Sequence, residues 1–479
     1  MPLRNLLILF AVAAVCIACA IQSRNLRYGI KVGQAIRMVE DYYVNEVDPQ
    51  ELYIAAMDGV VSKLDQFSDF IPPQQYKDFQ STIEQHFGGV GITVEGPPVV
   101  NRLTVVAPIP NTPAYKAGIQ AGDVILAIDG QSTEGLETTK ATKLMRGPVG
   151  KPVELEIRRM DSSETISLSI PRAEIDIASV YGDHIREDSK WDYFMREDPR
   201  IAYIRITMFG EKTVDEFREA LHNIRSDAKA VVIDLRYNPG GVLPAAVQMC
   251  DMLVDHGTIL RTKGRRAIFD NEYPAEPSIE IDKKIPMIVM VNGDSASASE
   301  IMAGCLQDLC RARIAGTRSY GKGTVQQVFE LEDDTSALKF TTARFLRPSG
   351  KNIHRTDSMK EADEWGITPE PSLTLPMSEL EEVFLNRRWN LRGDLRLVLR
   401  GERPPEPDFA GDPQLALVVQ SLWSEIGPAS NAEAKSIKSE QYNSSNTKAT
   451  TNSEEPKNEP HADTKNTSTE PNSQPESSK

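Results

Sequence analysis

Three times after Ala173 a short apolar run of strand character is followed by a stretch with helical spacing. IAYIRIT precedes TVDEFREALHNI, AVVIDL precedes VLPAAVQMCDMLV, and PMIVMV precedes SEIMAGCLQDLC. Strand and helix in such alternation predict an α/β core with a largely parallel sheet, because each parallel return needs a crossover long enough for a helix. In a core of this kind, function gathers where strands end and helices begin.

The whole chain has 479 residues, which is long enough for two or three folded units. Residues 28–87 read as helical, with GQAIRMVEDYYV and ELYIAAMDGVVSKL placing apolar residues three and four apart. Residues 88–172 switch to short β-branched runs (GITVE, RLTVVAPI, DVILAIDG, VELEIRR), with one helix-like stretch at Thr138–Met145. That makes one compact β-rich module ahead of the core, which is assigned 173–400. A C-terminal extension covers 401–430. From 431 to 479 there is one Ile and one Tyr and no Leu, Val, Phe, Met or Trp, so this tail is predicted to stay disordered.

Residues 1–27 carry Arg4, sixteen uncharged residues from Leu6 to Ile21, then Arg24 and Arg27. This is the pattern of an export signal. Ala18-Cys19-Ala20 fits a cleavage site, retention of residues 6–21 as a membrane anchor stays open, and Cys19 is a third option as a lipid-attachment site. The expected place of the protein is extracytoplasmic, periplasmic or held at the cytoplasmic membrane. The formal charge of −15, with Lys and Arg interspersed, argues against nucleic acid as a partner. Cys250, Cys305 and Cys310 are odd in number and lack metal-ligand spacing, so neither a metal site nor a disulfide network is expected. Cys305 and Cys310, in an apolar helix-like stretch, are read as buried thiols.

The serine run VNGDSASASE lies between a buried strand and a helix. Serines there either cap the helix or use its free N–H groups and dipole to stabilise an oxyanion. None of the six histidines sits in a motif suited to a Ser/His/Asp triad, and the G-x-S-x-G elbow is missing. Lys322, in SYGKGTVQQ, is the better candidate base, and burial would have to lower its pKa for that role. DLRYNPGG, Asp234 to Gly241, is a third element at a strand end, where glycines expose backbone N–H groups.

DLRYNPGG, NGDSASASEIMAGCLQD and GTRSYGKGTVQQ, in that order behind a PDZ-like module, closely resemble the carboxy-terminal processing proteases, the PDZ-containing Ser/Lys peptidases. The resemblance runs from about Tyr28 to Pro369. It implies a multidomain α/β protein whose protease core has the crotonase/Clp-like spiral β-α fold, with an inserted β-rich PDZ domain and a helical N-terminal domain. It implies Ser297 as nucleophile, Lys322 as base and Gln326 as the residue that orients the lysine, with no cofactor. The N–H of Ala298, with that of Gly240 or Gly241, would form the oxyanion hole, and Glu300 would fix the site or cap the helix. Gly89, Val90, Gly91 and Ile92 match the PDZ loop that holds a terminal carboxylate on its amides while the peptide adds as a strand. Arg146 matches a position that family members use to link PDZ occupancy to the active site.

The expected partners are protein substrates held by their C-terminal tails, and a homo-oligomer is compatible with the sequence. Two rivals are a catalytically silent PDZ adaptor and a crotonase-like acyl-CoA enzyme. The match departs after Ile353, where HRTDSMKEADEWGITPEP lengthens the link and Glu370 replaces an Asp. This is expected to loosen the register of the last core strands.

Overall fold

The computed structural model describes Asn5 and residues 27–427, except 97–101, 160–163, 332–334, 395–396, 399–408 and 410. The export segment 6–21, the tail 431–479 and part of the 401–430 extension lie outside the described residues. Among the described residues no helix is long and apolar enough to cross a membrane, and no cluster of side chains could hold a metal ion.

The chain opens with three helices: α1 (27–42), α2 (Pro49–Val61) and α3 (Pro73–Ile83). Asp48 caps α2 by accepting from Gln50 N at 2.8 Å, as a carboxylate at a helix N-terminus should. α1 and α2 bury little; of α2 only Val61 is buried. These helices therefore do not enclose a core of their own, and the strand between α2 and α3, β1 (Asp69–Ile71), joins a sheet of the main body.

The chain then leaves and re-enters the main body through a two-stranded ribbon, β2 (His86–Gly89) paired antiparallel with β9 (Ala173–Asp176). Between them lies the β-rich module. Its strands are β3 (Ile92–Glu95), β4 (Thr104–Pro108), β5 (Val124–Ile128), β6 (Gln131–Ser132), β7 (Pro152–Arg158) and β8 (Thr165–Pro171), in the order β3-β4-β5-β7-β8 with β6 on β5. Its helices are α4 (Pro113–Lys116) and α5 (Thr138–Met145). Along β7 the first six residues alternate exposed and buried, the signature of an antiparallel sheet with one wet face.

The main body holds β10 (Val180–Tyr181), β11 (His184–Ile185), β12 (Trp191–Asp192), β13 (Ile201–Ile206), α6 (Thr213–Ile224), β14 (Ala230–Asp234) and α7 (Leu243–Asp251). It continues with β15 (Thr258–Gly264), β16 (Asn271–Pro274), β17 (Met287–Val291), α8 (Ala298–Asp308), β18 (Arg313–Gly316), β19 (Thr324–Glu330), β20 (Ala337–Leu346) and α9 (Glu379–Arg392). One sheet runs β10-β13-β14-β17-β18, parallel except for β10 at its edge. Every residue of β14 and of β17 is buried, which explains why their sequences show no alternation. α6 turns Val214, Phe217, Ala220, Leu221 and Ile224 inward, at the three-and-four spacing of an amphipathic helix.

The second sheet, antiparallel, runs β1-β20-β15-β16, with β19 on the other edge of β20. The link after Ile353 does not loosen it: β19 and β20 pair from Thr324 and Arg344 to Glu330 and Ala337, with one bulge. Glu370 is tied to β18, donating from its N to Ile314 O at 3.0 Å and accepting from Ile314 N on its carboxylate. One cysteine departs from expectation. Cys305 is buried, but α8 ends at Asp308 and Cys310 lies beyond it, exposed, at φ 54°.

Candidate active site

β17 delivers the chain to the turn at Asn292–Asp294, and α8 begins at Ala298. Ser297 stands between them at φ 56°, ψ −112°, a backbone state that costs a non-glycine residue on the order of 1–3 kcal/mol and persists only where its surroundings enforce it. Those surroundings are the neighbouring serines. Ser295 and Ser299 are fully buried; Ser295 Oγ donates to Leu235 O at 2.8 Å, and Ser299 Oγ to Asn238 O at 2.9 Å. Ala296 N donates to the same Asn238 carbonyl at 3.0 Å. The serine run is thereby bolted to the DLRYNPGG loop.

That loop brings its glycines against Ser297. A Cβ on Gly240 would lie 2.6 Å from Ala296 O and 2.9 Å from Ala298 N, so only glycine fits. Gly240 N–H donates to Asn238 Oδ1 at 2.9 Å, while Gly240 O accepts from Phe209 N at 2.9 Å. The N–H of the same peptide unit, that of Gly241, therefore points away from Phe209. Among the described residues neither Gly241 N–H nor Ala298 N–H has an acceptor. Of the two glycines, Gly241 is the one with a free donor.

The loop itself is held from below by Arg236, which is almost wholly buried. Its guanidinium bonds Asp234 on its own strand end. It also bonds Asp412 through two atoms, at 2.9 and 2.8 Å, and Gln414 at 3.0 Å. Asp412 caps the last described helix, Pro413–Ile426. The 401–430 extension thus reaches under the glycines, which no local sequence signal foretold.

Opposite Ser297 stands Lys322. Both line one cavity of about 780 Å³, together with Gln326, Ala298, Gly240 and Gly241. Its apolar wall includes Phe209, Val242, Ile301 and Phe345, and α3 contributes Phe79 and Ile83. Burial pushes the Lys322 amine below its ordinary range, helped by Lys339 and opposed by Glu300 and Asp65. Its Nζ lies 4.9 Å from the centre of the Phe67 ring. The Gln326 amide donates to Thr324 Oγ1 at 2.9 Å and Thr341 Oγ1 at 3.0 Å. Among the described residues no hydrogen bond joins Ser297, Lys322 and Gln326 to one another.

Glu300 joins the two sides. Fully buried, its carboxylate accepts from Ser297 N and Lys322 N, each at 2.8 Å, from Gly321 N at 2.6 Å and from Ser319 Oγ at 2.5 Å. Burial raises its pKa and these four donors oppose the rise. The S-x-x-E spacing from Ser297 announces only the first of these bonds; the other three come from a segment that the sequence places after β18.

The β-rich module holds its own group of singled-out residues, none of which lines the cavity. Val90 O accepts from Ala114 N and Gly91 O from Ile109 N, both at 2.9 Å. Clamping a carbonyl turns the N–H of its peptide unit the other way, so the amides of Gly91 and Ile92 face away from those partners. A Cβ on Gly91, at φ 80°, would lie 2.3 Å from Thr112 Cβ. Ile92 begins β3, the edge strand, and the end of β3 approaches the start of α5 at Thr138. Arg146, just past α5, stacks its guanidinium 4.4 Å from the centre of the Phe87 ring on the connecting ribbon; its Nε is buried and has no hydrogen-bond partner among the described residues.

Residues 200–370 match peptidase family S41, and residues 104–159 match the PDZ domain. The carboxy-terminal-processing protease of Bartonella bacilliformis is 36% identical over 356 residues, 73% of this chain and 76% of that one. The carboxy-terminal processing protease CtpA of Bacillus subtilis is 32% identical, covering 72% of this chain and 69% of its own. Among solved structures, a photosystem II D1 C-terminal processing protease aligns with 76% of this chain and 96% of its own, at 26% identity and a TM-score of 0.41.

Proposed function

The chain belongs to peptidase family S41, and on that premise we propose that it is an exported serine endopeptidase that captures protein chains by their C-termini and cuts them with a Ser297/Lys322 dyad. The observation that supports this reading is the Glu300 carboxylate, which binds Ser297 N and Lys322 N at once, both residues lining one cavity.

The chemistry follows from the groups present. The neutral Lys322 amine takes the proton of the Ser297 hydroxyl as the oxygen attacks the substrate carbonyl. Negative charge develops on that carbonyl oxygen, and Ala298 N–H at the start of α8, with Gly241 N–H, receives it; such donors are worth roughly 3–4 kcal/mol each. The Lys322 ammonium then protonates the leaving amine, and water repeats the sequence on the acyl-enzyme. Gln326 orients the amine once its amide turns from Thr324 and Thr341.

Capture is the work of the PDZ domain. A free carboxylate seats on the amides presented between Gly89 and Ile92, and the tail adds to the edge of β3 against α5. Arg146, stacked on the ribbon at Phe87, carries the occupied state toward the protease body. We assign residues 28–87 as the N-terminal region, 88–172 as the PDZ domain, 173–400 as the protease core and 401–430 as its extension. The apolar run 6–21 between arginines supports export.

The test uses the intact chain and an unfolded reporter whose apolar tail ends in a free carboxylate or an amide. Faster cleavage of the free-carboxylate reporter is expected, with the difference in KM. Equal rates on both reporters would sink the capture mechanism.

A further inference from the structure

Lys322 faces a ring from a distant part of the chain. Phe67 lies in the turn between α2 and β1, and that turn is fixed by strand pairing: Asp69, Phe70 and Ile71 sit opposite Lys339, Leu338 and Ala337. Phe70 is buried, and Ile71 packs with Tyr76 and Ala337. The half-buried Phe67 ring is therefore held in place, with Lys322 Nζ 4.9 Å from its centre and the His354 ring at 6.2 Å. The same turn reaches Gln326. Thr341 Oγ1 accepts from Gln326 Nε2 at 3.0 Å and bonds the Asp65 carboxylate, and Thr341 N donates to Ser68 Oγ at 3.4 Å.

We propose that Phe67 is a positioning residue for Lys322: its ring keeps water from the amine and offers the ammonium its π face, so the N-terminal region sets the readiness of the base. This rests on Lys322 being the base. The two actions oppose each other. Shielding disfavours the cation, whereas the π face attracts it by about 0.5–1 kcal/mol at a partly exposed site. The other charged groups around the amine are Lys339 on β20, Glu300 on α8 and Asp65 in the turn itself, with His354 and its neighbour Arg344 beyond the ring. Burial is the largest influence on Lys322 and lowers its pKa, and in this proposal the cover that Phe67 adds outweighs the attraction of its π face.

Two substitutions separate the actions. Phe67→Leu keeps the apolar cover and removes the π face, so the acid limb of the kcat/KM profile should move down by about half a pH unit. Phe67→Ala removes both and admits water, so the limb should move up by about one unit, and Phe67→Tyr should restore the parent profile. The amine is followed in parallel in the full-length chain, by the pH dependence of Lys322 acylation with an amine-directed reagent read by mass spectrometry. Opposite shifts for Leu and Ala in that labelling establish the proposal. Labelling shifts that are absent, or of one sign, overturn it, since a merely structural ring would lower activity without moving the midpoint. If the labelling shifts oppositely while the activity profile stays fixed, Phe67 acts as proposed and the assignment of Lys322 as base fails.

Discussion

Ser297 stands in a wall whose side chains are tied to other buried groups, Ser295 to Leu235, Ser299 and Ala296 to Asn238, Arg236 to Asp234 and Asp412, which leaves the Gly241 and Ala298 N–H groups free among the described residues. Lys322 and Gln326 face it from β19 and the segment before it. There the last four residues of the strand are exposed, the amine makes no hydrogen bond or ion pair among the described residues, and the amide is turned to two threonines. On the Ser297 side the whole turn is braced by buried groups, while on the Lys322 side the backbone is tied to Glu300 and the amine itself is not anchored among the described residues. In the proposed role of base, Lys322 would respond to small changes in its cover by a change of protonation.

The largest effect comes from removing either partner. Ser297→Ala or Lys322→Ala should each lower kcat/KM by about 10⁴-fold or more, with the double variant no worse, because the two act as one unit. The parent rate should rise with pH as Lys322, its pKa already lowered, gives up its proton, by about tenfold per unit below that point. A profile governed by a group near the ordinary histidine value and abolished by His354→Ala would break the comparison, since His354 would then be the base.

Next in size is the support beneath the glycines. Asp412→Ala strips Arg236 of one of its two buried carboxylates and should destabilise the fold by about 3 kcal/mol. The loss is read as a lower Tm with a fall in kcat and little change in KM. An unchanged Tm would show that the wall around Ser297 is not held from the extension.

The smallest is Ser295→Ala, which orphans the Asn292 N–H and takes from the Leu235 carbonyl one of its two donors, the other being Asn238 N. It should cost about 1–2 kcal/mol and leave kcat within about tenfold of the parent. If Ser295→Ala were inactive and Ser297→Ala active, the roles in the serine run would have to be exchanged.

The parts of this molecule legible in the sequence are those whose cause is local. α6 and the helix Thr138–Met145 follow from three-and-four spacing, and β14 and β17 from short apolar runs, that of β14 ending at Asp234. The second sheet is not legible in this way: β20 carries Lys339 and Arg344, is mostly half-buried, and pairs with a three-residue strand near the other end of the chain. The same limit holds at the site. The motifs name Ser297, Lys322 and the glycines, but Glu300 gathers donors from two segments, Asp412 arrives after α9, and Phe67 comes from before the PDZ domain. The exposure of Cys310 is not legible, because an apolar stretch says little about where a helix stops.

The ribbon of β2 and β9 places the entry and the exit of the PDZ domain side by side, with His86 opposite Asp176 and Gly89 opposite Ala173. Two chain ends this close can be joined by any compact insert whose own termini nearly meet, and lengthening such a loop adds only about 0.6 kcal/mol of closure entropy per doubling. The PDZ domain is therefore a graft on a socket. A module recognising an internal motif, a glycan or a lipid headgroup could be spliced there without disturbing the sheets on which Ser297 and Lys322 stand, and the peptidase would acquire a new clientele by exchange of its adaptor alone.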